Sequence, residues 1–147
     1  MNPSAILLIE DDSFKLKRVL ACLGKRSDSV TIATSVQVAV VEVNSRSFDV
    51  ILVDMALPSH DLRPGGGPGT SLLSGGIEVI MELAYLGRSD PVVIITQYPE
   101  IEVEGELLPV AKVQPALQKL FDVRIKAVIL YKHLSDEWEI ALLEAVG

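Results

Sequence analysis

The sequence has little of several things that mark particular classes of protein. Its one cysteine, Cys22, cannot form an internal disulfide and is compatible with a reducing compartment. Aromatic residues make up 5% of the 147 residues, and no apolar run is long enough to cross a membrane. Basic residues number 13 against 20 acidic ones, and a net charge of −7 disfavours binding to a phosphate backbone. These absences predict a cytoplasmic protein with no membrane segment and no direct contact with nucleic acid.

The chain does have a hydrophobic content of 49% in a length typical of one domain. Segments of helical periodicity separate five short apolar runs, at residues 5–9, 30–33, 50–53, 92–95 and 127–131. Three of these runs (ILLI, VILV and VVII) are apolar throughout, which is typical of strands buried on both faces. The alternation predicts a single α/β domain over residues 1–147, with a sheet of five parallel strands between two layers of helices.

Helices are predicted where apolar residues recur at helical spacing after a capping residue, from about residues 13, 36, 77 and 135. The long segment between the fourth and fifth strands contains three prolines, so one unbroken helix is not expected there. We expect an irregular Glu-rich stretch over residues 100–109, followed by a short helix through Leu117 and Leu120.

Polar residues follow the predicted strands at the edge where such sheets place their functional crevice. The first strand ends in Glu10-Asp11-Asp12, and the third, fourth and fifth end in Asp54, Thr96 and Lys132. Converging carboxylates repel one another, and Mg²⁺ is the hard cation that suits two or three of them. A hydroxyl and a lysine beside them suit the oxygens of a phosphate. The set predicts a site that accepts a phosphoryl group on a carboxylate.

Each of these residues also has an ordinary structural role open to it. Acidic residues after a strand often cap the next helix, and either Asp12 or Ser13 fits that role. A threonine that ends a strand and a solvated lysine are common as well. Asp54, directly after VILV, is harder to explain in this way, and the joint occurrence at four strand ends favours the phosphoryl interpretation.

Five segments match the pattern of a known protein family: ILLIEDD at 6–12, DVILVDMALP at 49–58, GIEVI at 76–80, PVVIIT at 91–96 and VILYK at 128–132. Through them the sequence resembles the receiver domain of two-component response regulators over nearly its whole length. The resemblance implies the flavodoxin-like receiver fold, a doubly wound sheet of five parallel strands in the order 2-1-3-4-5, here as a stand-alone receiver. It also implies that output passes through a downstream protein partner or a homodimer.

The resemblance implies a role for each residue at the predicted crevice. Asp54 would be the phosphoacceptor, and Thr96 and Lys132 would contact the phosphoryl oxygens. Mg²⁺ would be held by Glu10, Asp11, Asp54 and the Met55 carbonyl. The phosphoryl group would come from a histidine kinase, a phosphotransfer protein or a small phosphodonor. Any enzymatic activity would be limited to self-phosphorylation and autodephosphorylation of Asp54.

Three departures from the family pattern favour an alternative, a degenerate receiver that acts as a phosphorylation-independent interaction module. A Gly/Pro-rich insertion at about residues 59–75 is either a partner-binding loop or a tolerated surface insertion. Gln97 follows Thr96 where the family has a small residue. His133 follows Lys132 where the family has proline, and Ile129 stands at the family's aromatic position.

A second register for the fifth strand makes Lys119, in LQKLF, the lysine of the site. The run before Lys119 contains Pro115, and a proline is disfavoured in a central strand. The apolar run AVILY therefore favours Lys132.

Overall fold

A computed structural model describes residues 5–58, 71–72 and 75–147. The predicted insertion at about 59–75 lies outside the described residues, apart from 71–72 and the helix start at Gly75. The described strands are β1 (Ile6–Ile9), β2 (Val30–Ala33), β3 (Val50–Val53), β4 (Leu57–Pro58), β5 (Ser71–Leu72), β6 (Val92–Thr96), β7 (Glu100–Val103), β8 (Glu106–Pro109) and β9 (Ile125–Leu130). The described helices are α1 (Ser13–Leu23), α2 (Val36–Ser45), α3 (Gly75–Tyr85), α4 (Val110–Phe121) and α5 (Glu137–Val146).

The central sheet has the order β2-β1-β3-β6-β9, and all its neighbouring strands are parallel. The predicted five-stranded doubly wound sheet is therefore confirmed. Successive side chains of β1 point to opposite faces, and each face is covered by helices, which is why its four residues are all apolar. Helices α2, α3 and α4 pack on one face, and α1 and α5 pack on the other.

Two helix starts show how the sequence places the elements around the crevice. Asp12 caps α1, because its Oδ1 accepts hydrogen bonds from the N–H groups of Phe14 (2.9 Å) and Lys15 (3.2 Å). The hydroxyl of Ser35 caps α2 in the same way through the N–H of Val38. Of the two capping candidates named for α1, Asp12 is thus the one that the structure uses.

The stretch predicted as irregular, residues 100–109, is a β-hairpin, so that prediction was wrong. Strand β7 pairs with β8 in antiparallel register around the two-residue turn Glu104-Gly105, where φ is 50° and 81°. Two successive positive φ values are typical of the hairpin turn that matches strand twist. Ile101 and Val103 are buried while the glutamates between them are exposed.

The helix after the hairpin also differs from the expectation. Helix α4 has 12 residues and continues through Pro115, where a short helix was expected. Its buried residues, Val113 and Leu117, lie one helical turn apart and pack on the sheet, so tertiary packing outweighs the cost of the proline. None of the described helices has the length and apolar character needed to span a membrane.

Candidate functional site

Three acidic side chains converge where β1 and β3 end. Because Ile9 lies opposite Val53 in parallel register, the next residues, Glu10 and Asp54, emerge side by side. Oxygens of Glu10, Asp11 and Asp54 all lie within 4.8 Å of one another. Glu10 and Asp54 are buried, whereas Asp11 is exposed. The structure thus brings together the three carboxylates that the sequence placed at the strand ends.

A buried lysine that is not among the predicted site residues lies among these acids. Lys15 Nζ lies 2.7 Å from Glu10 Oε1 and 3.5 Å from Asp54 Oδ2. It also donates a hydrogen bond of 2.8 Å to the carbonyl of Ile95 on β6. The side chain is 2% exposed, which an ammonium tolerates only when charged or polar partners replace its water.

A signal for Lys15 is present in the sequence. Lys15, Val19 and Leu23 follow one another at intervals of four residues and are the buried residues of α1. A lysine at the start of an apolar helical stripe faces the sheet, so it must either extend out to solvent or find a buried partner. Its place two turns before Leu23 and three residues after the capping Asp12 directs it to the acids at the end of β1.

The electrostatics of the cluster favour a cation. Burial, reinforced by the nearby charge of Asp54, raises the pKa of Glu10 to about 8, although Lys15 acts in the opposite direction. Partial burial also raises the pKa of Asp11, against a lowering backbone hydrogen bond. When all three carboxylates are ionised, they and the one ammonium carry a formal charge of −2 at the site. Both the charge and the oxygen donors fit a hard divalent cation.

Met55 and Gly76 fix the junction between β3 and α3 beside the acids. The Met55 carbonyl accepts a hydrogen bond of 2.9 Å from the Gly76 N–H, and a carbonyl keeps a second lone pair for another partner. A Cβ on Gly76 would lie 2.6 Å from the Asp54 carbonyl oxygen and 2.8 Å from the Met55 Cα. Glycine is therefore required for α3 to approach this closely.

Thr96 lies at the end of β6 and is fully buried. Its hydroxyl oxygen accepts a hydrogen bond of 3.1 Å from the Tyr98 N–H, so it supports the turn that follows β6. A hydroxyl that accepts one hydrogen bond retains its own O–H as a donor. Gln97, which follows it, is exposed.

The two lysines considered from the sequence follow the predicted register, with Lys119 on helix α4 and Lys132 just after strand β9. Lys132 is exposed and lines a surface cavity together with Gln97, Tyr98, Tyr131, His133 and Leu134. Lys119 lies on the exposed side of α4. Across residues 5–58, 71–72 and 75–147, Lys15 is the one lysine within 4.0 Å of the Asp54 carboxylate. A contact between Lys132 and a bound phosphoryl group stays a prediction.

Tyr131, the residue between β9 and Lys132, is buried beside the site. The Tyr131 N–H donates to the Thr96 carbonyl at 2.7 Å, and its side chain is buried, whereas the next residue, Lys132, is exposed. The Tyr131 ring lies 4.9 Å from the Trp138 ring, and Lys15 Nζ lies 5.6 Å from its centre. Its hydroxyl has no hydrogen-bond partner within the part of the chain that the structure describes.

Comparison with known proteins now decides the family. The chain is 36% identical over 134 residues to the Detocs response regulatory protein DtcB of Vibrio alginolyticus, covering 87% of the chain and 89% of that protein. The chain belongs to this response regulator family. A protein of the same name from Enterobacter cloacae is 28% identical over 145 residues, covering 95% of the chain and 97% of the relative. A scan against models of protein families finds no match.

Solved structures agree on the fold. The chemotaxis response regulator CheY4 of Vibrio cholerae has a TM-score of 0.65 at 16% identity, covering 99% of this chain and 100% of that chain. A CheY-like receiver domain protein from Methanospirillum hungatei has a TM-score of 0.64 at 18% identity, covering 99% and 91%. The predicted resemblance to receiver domains is confirmed, and so is the receiver fold.

Proposed function

We propose that the protein is a phosphoacceptor signalling domain that is phosphorylated on Asp54 in a Mg²⁺-dependent reaction. The observation that carries the proposal is the convergence of Glu10, Asp11 and Asp54, whose oxygens lie within 4.8 Å of one another at the strand ends. The relationship to response regulatory proteins supports it. Asp54 is the best nucleophile of the three, because it lies between β1 and β6 at the centre of the crevice.

In this proposal each residue of the site has its own role in the reaction. An Asp54 carboxylate oxygen would attack the phosphorus of the donor, and the buried Thr96 hydroxyl would donate to a phosphoryl oxygen. The carboxylates of Glu10, Asp11 and Asp54 and the Met55 carbonyl would hold Mg²⁺, which supplies the positive charge needed where two anions meet. The phosphoryl group would come from a histidine kinase, a phosphotransfer protein or a small acyl phosphate. Output would pass through a downstream protein partner or a second copy of the chain.

The phosphoacceptor is tested by intact-protein and peptide mass spectrometry after incubation with acetyl phosphate and Mg²⁺. We expect the mass gain of one phosphoryl group, located on Asp54 and absent in Asp54→Asn. Asp28→Asn, at an exposed acid on another part of the surface, is the matched control and should behave as the wild type. A mass gain that persists in Asp54→Asn would place the phosphoacceptor elsewhere.

The metal is tested separately by thermal denaturation with and without Mg²⁺. Binding to the folded state alone stabilises a protein by mass action, so millimolar Mg²⁺ should raise the wild-type melting temperature. The rise should be smaller in Asp11→Asn, which removes the exposed ligand without disturbing the buried Glu10–Lys15 pair. An identical rise in both proteins would remove Asp11 from the metal site.

The alternative is a degenerate receiver that binds its partner without phosphorylation. The observation that favours it is the exposed position of Lys132, which removes the lysine that the family pattern implied from direct contact with Asp54. Wild-type protein that takes up no phosphoryl group from acetyl phosphate in the presence of Mg²⁺ would favour this alternative.

A further inference from the structure

The position of Lys15 on the first turn of α1 gives the site a basic group from an unexpected element. Asp12 caps the helix by accepting from the Lys15 N–H, and the Lys15 side chain then extends under the ends of β1, β3 and β6. We propose that Lys15, and not Lys132, is the group that contacts the phosphoryl group on Asp54. This inference rests on the proposed phosphorylation of Asp54.

The hydrogen bonds of the ammonium point to this role. An ammonium has three N–H donors. Two of them are used in short contacts, to Glu10 Oε1 at 2.7 Å and to the Ile95 carbonyl at 2.8 Å. The remaining contact, to Asp54 Oδ2, is 3.5 Å long, which is beyond an ordinary N–H···O distance. An oxygen added to Asp54 by phosphorylation would give this third donor a closer acceptor.

The residue that follows β9 supports the same assignment. Tyr131 follows the residue that pairs with Thr96, and its buried ring lies 5.6 Å from Lys15 Nζ. An aromatic face beside an ammonium attracts it and restricts where it can go. The β9 end thus supplies a ring that flanks Lys15, while Lys132 next to it is exposed to solvent.

The chemical step needs no proton from Lys15 when the donor is an acyl phosphate. An Asp54 oxygen forms a bond to phosphorus as the bond between phosphorus and the acyl oxygen breaks, and its electron pair leaves with the acyl carboxylate. The Lys15 ammonium keeps its three protons and donates a hydrogen bond to a phosphoryl oxygen as negative charge gathers there. Donors fixed in advance at such a position in a buried site contribute strongly to rate.

The test compares the rate of Asp54 phosphorylation by acetyl phosphate at saturating Mg²⁺ in four proteins. They are the wild type, Lys15→Met, Lys132→Met and Lys17→Met, in which Lys17 is an exposed residue of α1 and serves as the control. We expect Lys15→Met to be slower by about 100-fold, the usual effect of removing one such donor. The two other variants should react at the wild-type rate.

Binding of beryllofluoride, a stable phosphoryl mimic, gives a second readout. Trp138 is the single tryptophan and lies 4.9 Å from the Tyr131 ring, so its fluorescence reports on the Lys15 surroundings. We expect beryllofluoride to change the fluorescence of the wild type and Lys132→Met, and to bind much more weakly to Lys15→Met. Melting curves of all four proteins in the same buffer establish which variants are folded.

The outcomes separate this inference from the proposed function. Wild-type protein that takes up no phosphoryl group would overturn both. An active wild type with an equally fast Lys15→Met would overturn the role of Lys15 alone. Because Lys132 is exposed, Lys132→Met should fold whatever happens to Lys15→Met. A large loss of rate in Lys132→Met would therefore overturn the inference even if Lys15→Met were unfolded.

Discussion

Replacing Tyr131 with phenylalanine should make the protein more stable. The Tyr131 side chain is 4% exposed, and its hydroxyl has no hydrogen-bond partner among the described residues. Leaving a buried polar group unpaired costs about 1–3 kcal/mol relative to water. Phenylalanine removes that cost and keeps the ring contacts with Trp138 and the Lys15 ammonium, at 4.9 and 5.6 Å.

The expected gain in the free energy of unfolding is about 1 kcal/mol, the lower end of that range, because the small space left by the oxygen costs something in return. For a domain of this size the melting temperature should rise by about 2–4 °C. Thermal and urea denaturation measure both quantities. Tyr85→Phe is the matched control, because Tyr85 is 85% exposed and its hydroxyl is solvated in both states, so no change is expected.

A loss of stability in Tyr131→Phe, with Tyr85→Phe unchanged, would refute the reasoning, because the hydroxyl must then make a hydrogen bond that these contacts do not include. The role of the Tyr131 ring in positioning Lys15 is tested by Tyr131→Leu. If the aromatic face holds the Lys15 ammonium in place, Tyr131→Phe should be phosphorylated at the wild-type rate and Tyr131→Leu more slowly. Equal rates in the two variants would show that the ring does not position Lys15.

Two further predictions concern positions outside the ionic cluster. Gly76→Ala should lower the free energy of unfolding, measured in urea, by about 1–3 kcal/mol, because the added Cβ meets backbone atoms of both Asp54 and Met55. The variant should also be phosphorylated more slowly. Unchanged stability would contradict the close approach of α3 to these two residues. Burial alone would raise the pKa of Asp90, but hydrogen bonds from Arg88 and the Phe48 N–H, at 2.7–2.8 Å, hold it below its usual value. The folded pKa is therefore the lower one, so the stabilisation is complete above the unfolded value near 3.9 and disappears as the pH falls through the folded value. In denaturation series, Asp90→Asn should be less stable than the wild type by about 1–3 kcal/mol at pH 7, and the difference should shrink below about pH 4; a constant difference would argue against the ion pair.

The three central strands could be identified from the sequence because a strand that is buried on both faces is apolar at every position. The runs ILLI, VILV and VVII have no polar residue to point at solvent, and only the middle strands of a parallel sheet have that property. Asp54 and Glu10 follow from the same pattern, because each stands directly after one of these runs.

The first strand of the β7–β8 hairpin has a sequence in which apolar and charged residues alternate, which is the period of a strand with one buried face. Ile101 and Val103 alternate with Glu100 and Glu102, and Gly105 supplies a residue suited to positive φ. High charge and nearby prolines suggested irregular structure, but the alternation was the better guide. The exposed face of a two-stranded ribbon can carry the glutamates without burying them.

Lys15 was harder to predict, because its partners come from three different strands. Its side chain contacts the residue after β1, the residue after β3 and a carbonyl of β6. A helical pattern shows only that Lys15 shares a face with Val19 and Leu23. Which acids lie above that face depends on the sheet order, so the contact can be inferred only once the order is known.

The cost of the acidic cluster bears on the choice between an active and a degenerate receiver. Lys15 can balance one carboxylate, so the fully ionised cluster has a formal charge of −2, and two of its acids, Glu10 and Asp54, are only 2% and 5% exposed. Replacing buried ionic groups with apolar residues of similar volume often stabilises a protein by about 1–4 kcal/mol. A module that only binds a partner would therefore be more stable with apolar residues at these positions. In a phosphoacceptor the same acids bind the cation that the phosphoryl group requires, which accounts for their presence. The site therefore favours a phosphoacceptor over a degenerate receiver, although the fold is common to both.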